Sequence, residues 1–284
     1  MAHNTTNTAK MIEPKIANML MQPLEAASVV MAAGPTVFDS SEPLRIKKLV
    51  SGFEPQWVGE GEEIPDGGEA GFDEIQLMPT ERKSLKVIIK MTNEMIRQAK
   101  DGVSTVLEQR LVSDVAKSLD NALLMGDGKD NAITGIINQP DITKATLDLS
   151  NTDSLLDALA LAASKEVTPN RFILNGSDFF ELRKLRDKNG RYILQSDVSG
   201  SAAFRLFDVP VTVTNKLPAG KALLANTKEI AVVRDQNPTM TILNERYAEY
   251  DMVGVRVTCR FDVGLLRPEG VILLESGADS AGAA

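Results

Sequence analysis

Between Gly59 and Gly71 the chain runs through five glycines and five carboxylates, Glu60, Glu62, Glu63, Asp66 and Glu69, with only Ile64 and Ala70 as apolar side chains. So little apolar surface cannot offset the entropy of ordering the segment, which therefore forms no core of its own. Any fold must be built on either side of it. Trp57 and Val58 stand before it; after it come Ile75 and Leu77, then Leu85, Val87, Ile89 and Met91 at period two. That alternation predicts extended strands, read as one long two-stranded ribbon with a flexible, acidic approach. A ribbon alone in water is marginal, so it is expected to rest on another surface.

The rest of the chain falls around this break. Residues 1–15 are polar and are expected to form an arm that is mobile or depends on a neighbour. Ile16, Met19, Leu20, Leu24, Ala27 and Met31 recur every three or four positions, as on a short helix bent at Pro23. Thr92 and Glu94 mark a helix start for Met95, Ile96 and Ala99, which Asp101-Gly102 interrupts. Val103, Val106, Leu107, Leu111, Val115, Leu119, Ala122 and Leu123 then keep helical spacing up to Gly126, predicting a rod of roughly 30 Å. Gly126-Asp127-Gly128-Lys129 looks superficially like a phosphate loop, but Asp130 follows the lysine and the Gly-Lys-Ser/Thr ending is missing, so a turn closing the rod is the better reading. Beyond it lie a helix near 153–164, a strand Phe172-Ile173-Leu174, and a helix from Ser177 carrying Phe180, Leu182 and Leu185. Strand-like runs follow at 209–214, 221–225, 229–234, 239–243, 252–261 and 270–275, before a small-residue tail.

Counts narrow the chemistry. With 39 acidic against 31 basic residues, the net charge of −8 opposes binding to a phosphate backbone. The one histidine, His3, lies in the polar arm, which leaves no base for a Ser-His-Asp or Cys-His arrangement, and one cysteine gives too few ligands for a His/Cys zinc site. Cys259 has no partner for an intramolecular disulfide. The start lacks a secretory pattern, and Asn18, Gln22, Pro23 and Glu25 break the most apolar stretch, which argues against a membrane span. A carboxylate pair remains open as an acid-base device.

At this point the residues resemble the major capsid proteins of tailed bacteriophages. The likeness runs from about residue 40 to 275 in a consistent order: Trp57-Val58, Glu60-Gly61 and Pro65; Leu123-Leu124, Gly126-Asp127-Gly128 and Gly135-Ile136; the stretch from Leu182 through Asp187 and Gly190 to Tyr192; Pro210-Val211; Leu217-Pro218-Ala219-Gly220; Arg234-Asp235; and Arg260-Phe261-Asp262-Val263 with Pro268. Two features depart from the family pattern. Phe207-Asp208-Val209 stands where a glycine usually precedes the Pro-Val pair, and residues 59–79 contain no lysine, so the partners of the family's Lys-Asn cross-link are not matched residue by residue and none is predicted.

The resemblance implies an α+β fold of the Hong Kong 97 type. Its parts would be an N-terminal arm at 1–40, an extended β-hairpin loop and its base at 41–91, and a peripheral domain with a long spine helix at 92–150. An axial (apical) domain would occupy 151–225, closing strands of both domains 226–275, and a flexible tail 276–284. It implies a non-enzymatic shell protein of the virion, assembled in the host bacterial cytoplasm, with no cofactor. Its partners would be copies of itself in pentamers and hexamers, a separate scaffolding protein, a portal, a decoration protein, and packaged double-stranded DNA held without sequence-specific contacts; no membrane is involved. An encapsulin-type nanocompartment shell shares the fold and stays open, as does a carboxylate-dependent hydrolase as a different class.

Within that reading the candidate intersubunit contacts are Trp57, Glu60, Glu62, Glu63, Asp66, Glu69, Arg183, Lys184, Arg186 and Arg260. Trp57, the only tryptophan, would anchor on a neighbour or sit in the chain's own core. Residues 181–191 carry five basic and two acidic side chains, opposite in sign to the 59–71 segment, so the two fields would guide docking or simply face solvent. Arg260 and Asp262, two apart, would share a strand face and pair across a subunit boundary or within the sheet.

Overall fold

The computed structural model describes residues 24, 26–49, 57–61, 72–78, 84–94, 103–129, 132–186, 189–192, 204–235, 239–243 and 245–277. Residues 1–23, 62–70 and 95–102 lie outside these, and with them most of the expected arm, four of the five acidic residues of the 59–71 segment and the helix expected after Thr92.

The predicted rod is present as the 23-residue helix Val103–Met125, here α2, about 35 Å long. Its C-terminal half buries Val115, Ala116, Leu119, Leu123 and Leu124, one apolar stripe at helical spacing. Gly126 ends it, because a β-carbon there would stand 2.0 Å from the Ile133 carbonyl oxygen. Gly135 lies as close from the other side, with its missing β-carbon 2.5 Å from the Gly126 nitrogen. The returning chain, held by the Asp127–Thr134 bridge and two bonds from the Asn138 amide to Met125 and Gly126, thus lies against the helix end as a turn.

A six-stranded sheet forms the second layer. Its order is β5 (Thr143–Leu147), β14 (Val271–Ser276), β9 (Lys221–Ala225), β6 (Arg171–Leu174), β8 (Val209–Val213), β7 (Arg205–Leu206). Period-two alternation sends neighbouring residues to opposite faces. Ile173, Leu223 and Leu273 join the core under α2, while Phe172, Leu174, Leu224, Ile272 and Leu274 face a second core. Helices α3 (Asp153–Ser164) and α4 (Gly176–Lys184) cover that second face with Leu155, Ala158, Ala162, Phe179 and Leu182. Phe179, and not Phe180, is the core aromatic of α4; Phe180 is 52% exposed. Asn175 caps α4 by accepting from the Ser177 amide, and its own amide donates to Leu217 O at 2.5 Å. The buried Asp178 accepts from the Gly220 amide at 2.7 Å, so the Leu217-Pro218-Ala219-Gly220 turn is clamped to the start of α4.

Two three-stranded sheets and a hairpin complete the described chain. β1 (Thr36–Asp39) runs parallel to β10 (Ile230–Arg234), which pairs with β13 (Phe261–Leu265); β12 (Met252–Cys259) lies between β11 (Thr239–Leu243) and β4 (Leu85–Thr92). The run expected as one strand over 252–261 breaks at Arg260, where the chain passes from one sheet to the other.

The ribbon is corrected. The strand carrying Ile75 and Leu77, β3 (Phe72–Leu77), pairs with β2 (Leu44–Leu49) on the far side of the acidic segment, in the register Leu44–Leu77 to Leu49–Phe72. β4 pairs along its whole length with β12 instead. Alternation identifies a strand but not its partner, and Val87 and Ile89 gain burial against the core under α2 that another strand of the hairpin could not supply. The β2–β3 hairpin rests on another surface: Leu44, Ile46 and Ile75 pack with Leu77, Met78, Ala231 and Val233 over the β1–β10–β13 sheet.

Candidate functional site

The chain bends back onto α2 before β1, and a buried carboxylate fixes that contact. Asp120, 1% exposed, accepts from Ser28 Oγ at 2.6 Å, from the Val29 amide at 3.0 Å and from the Val30 amide at 3.3 Å. Ser28 in turn accepts from the Met31 amide and caps the single turn α1 (Val29–Ala32). Three donors on one carboxylate meet the requirement that a buried charge be hydrogen-bonded. Leu24, Val30 and Met31 are buried alongside, so the segment after Pro23 is docked onto α2. Asp120 was not among the candidate residues. Its signal was an acid on the apolar stripe, four residues from Ala116 and three from Leu123, a place that obliges donors to arrive from elsewhere.

The expected contact residues occupy different settings. Trp57 is fully exposed at 105%, which corrects the reading that buries it within its own chain. Glu60 is exposed beside it; Glu62, Glu63, Asp66 and Glu69 lie outside the described residues. Arg183 lies over the rings of Phe179 at 5.8 Å and Phe204 at 5.5 Å. Lys184 is exposed in the last turn of α4, and Arg186 stacks on Tyr192 at 4.5 Å while donating to its hydroxyl at 2.8 Å. Together with half-exposed Phe180 they make an aromatic and basic surface at one end of the large sheet.

Arg260 and Asp262 do not pair. Arg260 donates to Asp235 at 2.9 Å, whereas Asp262 accepts from the Met78 amide at 2.6 Å and from the Val263 amide at 2.9 Å. The strand break between them puts their side chains to different uses, and Asp262 ties the hairpin base to β13.

A cleft of about 370 Å³ opens between β3, residues 133–141 and β13. Of its carboxylates, Glu74 pairs with Arg45 at 3.2 Å, Asp73 accepts from the Glu74 amide, Asp262 is engaged as above, and Asp141 lines the wall formed by residues 133–141. The bonds of Asp73, Glu74 and Asp262 hold backbone and neighbouring side chains. Among the described residues no group of three or more His, Cys, Asp or Glu is placed to hold a metal ion, and no helix is long and apolar enough to cross a membrane.

Burial sets the character of the lone thiol. Desolvation pushes Cys259 up to about 11, so at neutral pH it is a small apolar side chain with its sulfur 3.8 Å from Leu85 O. Elsewhere the shifts mark ties between strands. Arg234 on β10 bonds Asp39 on β1 and holds its carboxyl below the usual range, and Lys221, with Lys144 farther off, does the same for Glu275 in the large sheet.

Comparison with known proteins agrees with this picture. Residues 9–276 match the phage capsid family. A stretch of 155 residues is 27% identical to the major capsid protein of Halomonas phage phiHAP-1; it takes in 54% of this chain but only 25% of that relative's length. Solved structures resemble it over far more. The capsid of the native GTA particle superposes with a TM-score of 0.71 at 14% identity, covering 87% of this chain and 90% of that one. Chains from Gordonia phage Cozz (0.71, 12% identity, 89% and 87% covered) and Mycobacterium phage Bobi (0.67, 20%, 88% and 90%) do likewise. At such identities the shared property is the fold, and that fold is the mixed α+β arrangement of phage capsid subunits.

Proposed function

Since this chain belongs to the phage capsid family, we propose that it is the major capsid protein of a tailed phage, assembling as pentamers and hexamers into the icosahedral head that encloses double-stranded DNA. The observation that carries the reading is the extent of the family match, residues 9–276, which spans every described element. In this reading α2 is the spine of a peripheral domain, the β2–β3 hairpin is the root of an extended loop, and the large sheet with α3 and α4 is the axial domain. The role is structural: the carboxylates traced above serve the fold, and the net charge of −8 suits a lumen that holds DNA by confinement. A scaffolding protein, a portal and a decoration protein would be its further partners.

Trp57 and the acidic segment are the contact points proposed on the hairpin. A fully exposed tryptophan costs apolar hydration in the free subunit and gains most when a neighbour covers it. Deleting residues 59–71 tests this, because the segment contributes only Ile64 and Ala70 to any core. The variant is expected to keep the parent's circular dichroism and melting but to sediment as small species where the parent forms shells. A variant that unfolds, or one that forms normal shells, contradicts the assignment.

A further inference from the structure

The large sheet carries two exposed surfaces of opposite character at its two edges. On the β7 side, Phe180, Phe204 and Tyr192, each 40–52% exposed, gather with Arg183, Lys184 and Arg186. On the β5 side, α3 packs against β5 and β14 and turns outward Asp153, Leu156, Asp157 and Ala160, with Leu156 44% exposed. The helix bears no basic residue. The edge strands β5 and β7 stand about 24 Å apart across the six-stranded sheet, with α3 over the β5–β14 side.

We infer that, within a capsomer, the aromatic-basic surface of one subunit docks on α3 of the next. The inference rests on the capsid reading and adds to it the faces that meet. The occupant is a second copy because the two surfaces complement each other in charge and in shape. Phe180 offers a projecting ring, and α3 offers Leu156 beside the low relief of Ala160. Lys184 and Arg186 meet Asp153 and Asp157. Two complementary surfaces at opposite edges of one subunit make a heterologous contact, the kind that repeats head to tail until a ring closes. Charge complementarity of this sort sets partner and register, and like charges brought together there are strongly unfavourable.

The test uses the full chain with two pairs of reversals, Asp153→Lys/Asp157→Lys and Lys184→Glu/Arg186→Glu, all at exposed positions. Each pair alone should lower the melting only by the small amount that the exposed Arg186–Tyr192 and Asn151–Asp153 contacts contribute, and raise the concentration needed for assembly by about tenfold or more. Combining all four should restore it, whereas a mixture of the two variants should recover hexamers but not pentamers, because only unlike variants attract. Assembly of either variant at the parent's concentration, or failure of the combined variant, overturns the inference. Leu156→Cys/Phe180→Cys gives a second readout, since Cys259 is buried and does not compete. Oxidised particles should run as a ladder up to pentamer and hexamer on denaturing gels. Monomer bands from intact shells would refute the contact and leave the capsid reading standing, whereas a parent that never associates would sink that reading first.

Discussion

Removing the Asp120 carboxylate is the most informative change within one subunit. Asp120→Ala takes away the acceptor for Ser28 Oγ, Val29 N and Val30 N together. The hydroxyl can turn to another acceptor, but the two amides stay buried, at about 1–3 kcal/mol each, and the side chain leaves a small void. A loss of about 3–5 kcal/mol follows. Undocking the segment to wet those amides would expose Leu24, Val30 and Met31, each worth about 1.5–3 kcal/mol, so staying docked is the cheaper response. Asp120→Asn keeps one acceptor oxygen and should cost about half as much, and Ser28→Ala about 1 kcal/mol. Urea titration of the dispersed subunit by circular dichroism measures these losses. Limited proteolysis before Gly34 reports whether the segment stays down. Equal and small effects of Ala and Asn, below about 1 kcal/mol, or cleavage appearing before stability falls, would refute the reasoning.

Other consequences follow from single residues. Cys259, with its thiol pushed up to about 11, should resist an aromatic disulfide reagent at pH 8 until denaturant is added; fast labelling of folded protein would contradict its burial. Glu275, lowered by Lys221, has a folded value below its ordinary 4.5, so its contribution is fully present above that value and lost as pH falls through the folded one. Glu275→Gln should therefore flatten the acid side of the stability curve and leave the slope above pH 6 alone, which a melting series across pH 3–7 would check. Gly126→Ala should cost on the order of 2–4 kcal/mol by forcing the α2 end away from Ile133; a thermal shift within error of the parent would show that the turn yields freely.

What the sequence made legible follows from range. α2 could be read because its stripe repeats within the helix itself, and the strand runs from Val209 onward because Pro, Gly and Asn punctuate them. Partners could not be read. β3 and β4 both alternate, yet one pairs back to Leu44–Leu49 and the other forward to Met252–Cys259, a choice made by the cores beneath them. β1 and β2 went unrecognised because the former is a four-residue strand and the latter interleaves Arg45, Lys47 and Lys48 with its apolar residues. Of the proposed contacts, the exposure of Trp57 and the grouping of Arg183, Lys184 and Arg186 near aromatic rings emerge only in three dimensions. Arg260 turns out to be engaged with Asp235, 25 residues away.

The central claim is that many copies of this chain close into a shell, and electron microscopy of the purified protein tests it most directly. The account predicts closed particles of icosahedral symmetry in which pentamers and hexamers are built from this chain and each Trp57 is covered by a neighbouring copy. Dispersed monomers under every assembly condition, with Trp57 as open to solvent as in the single subunit, would contradict it.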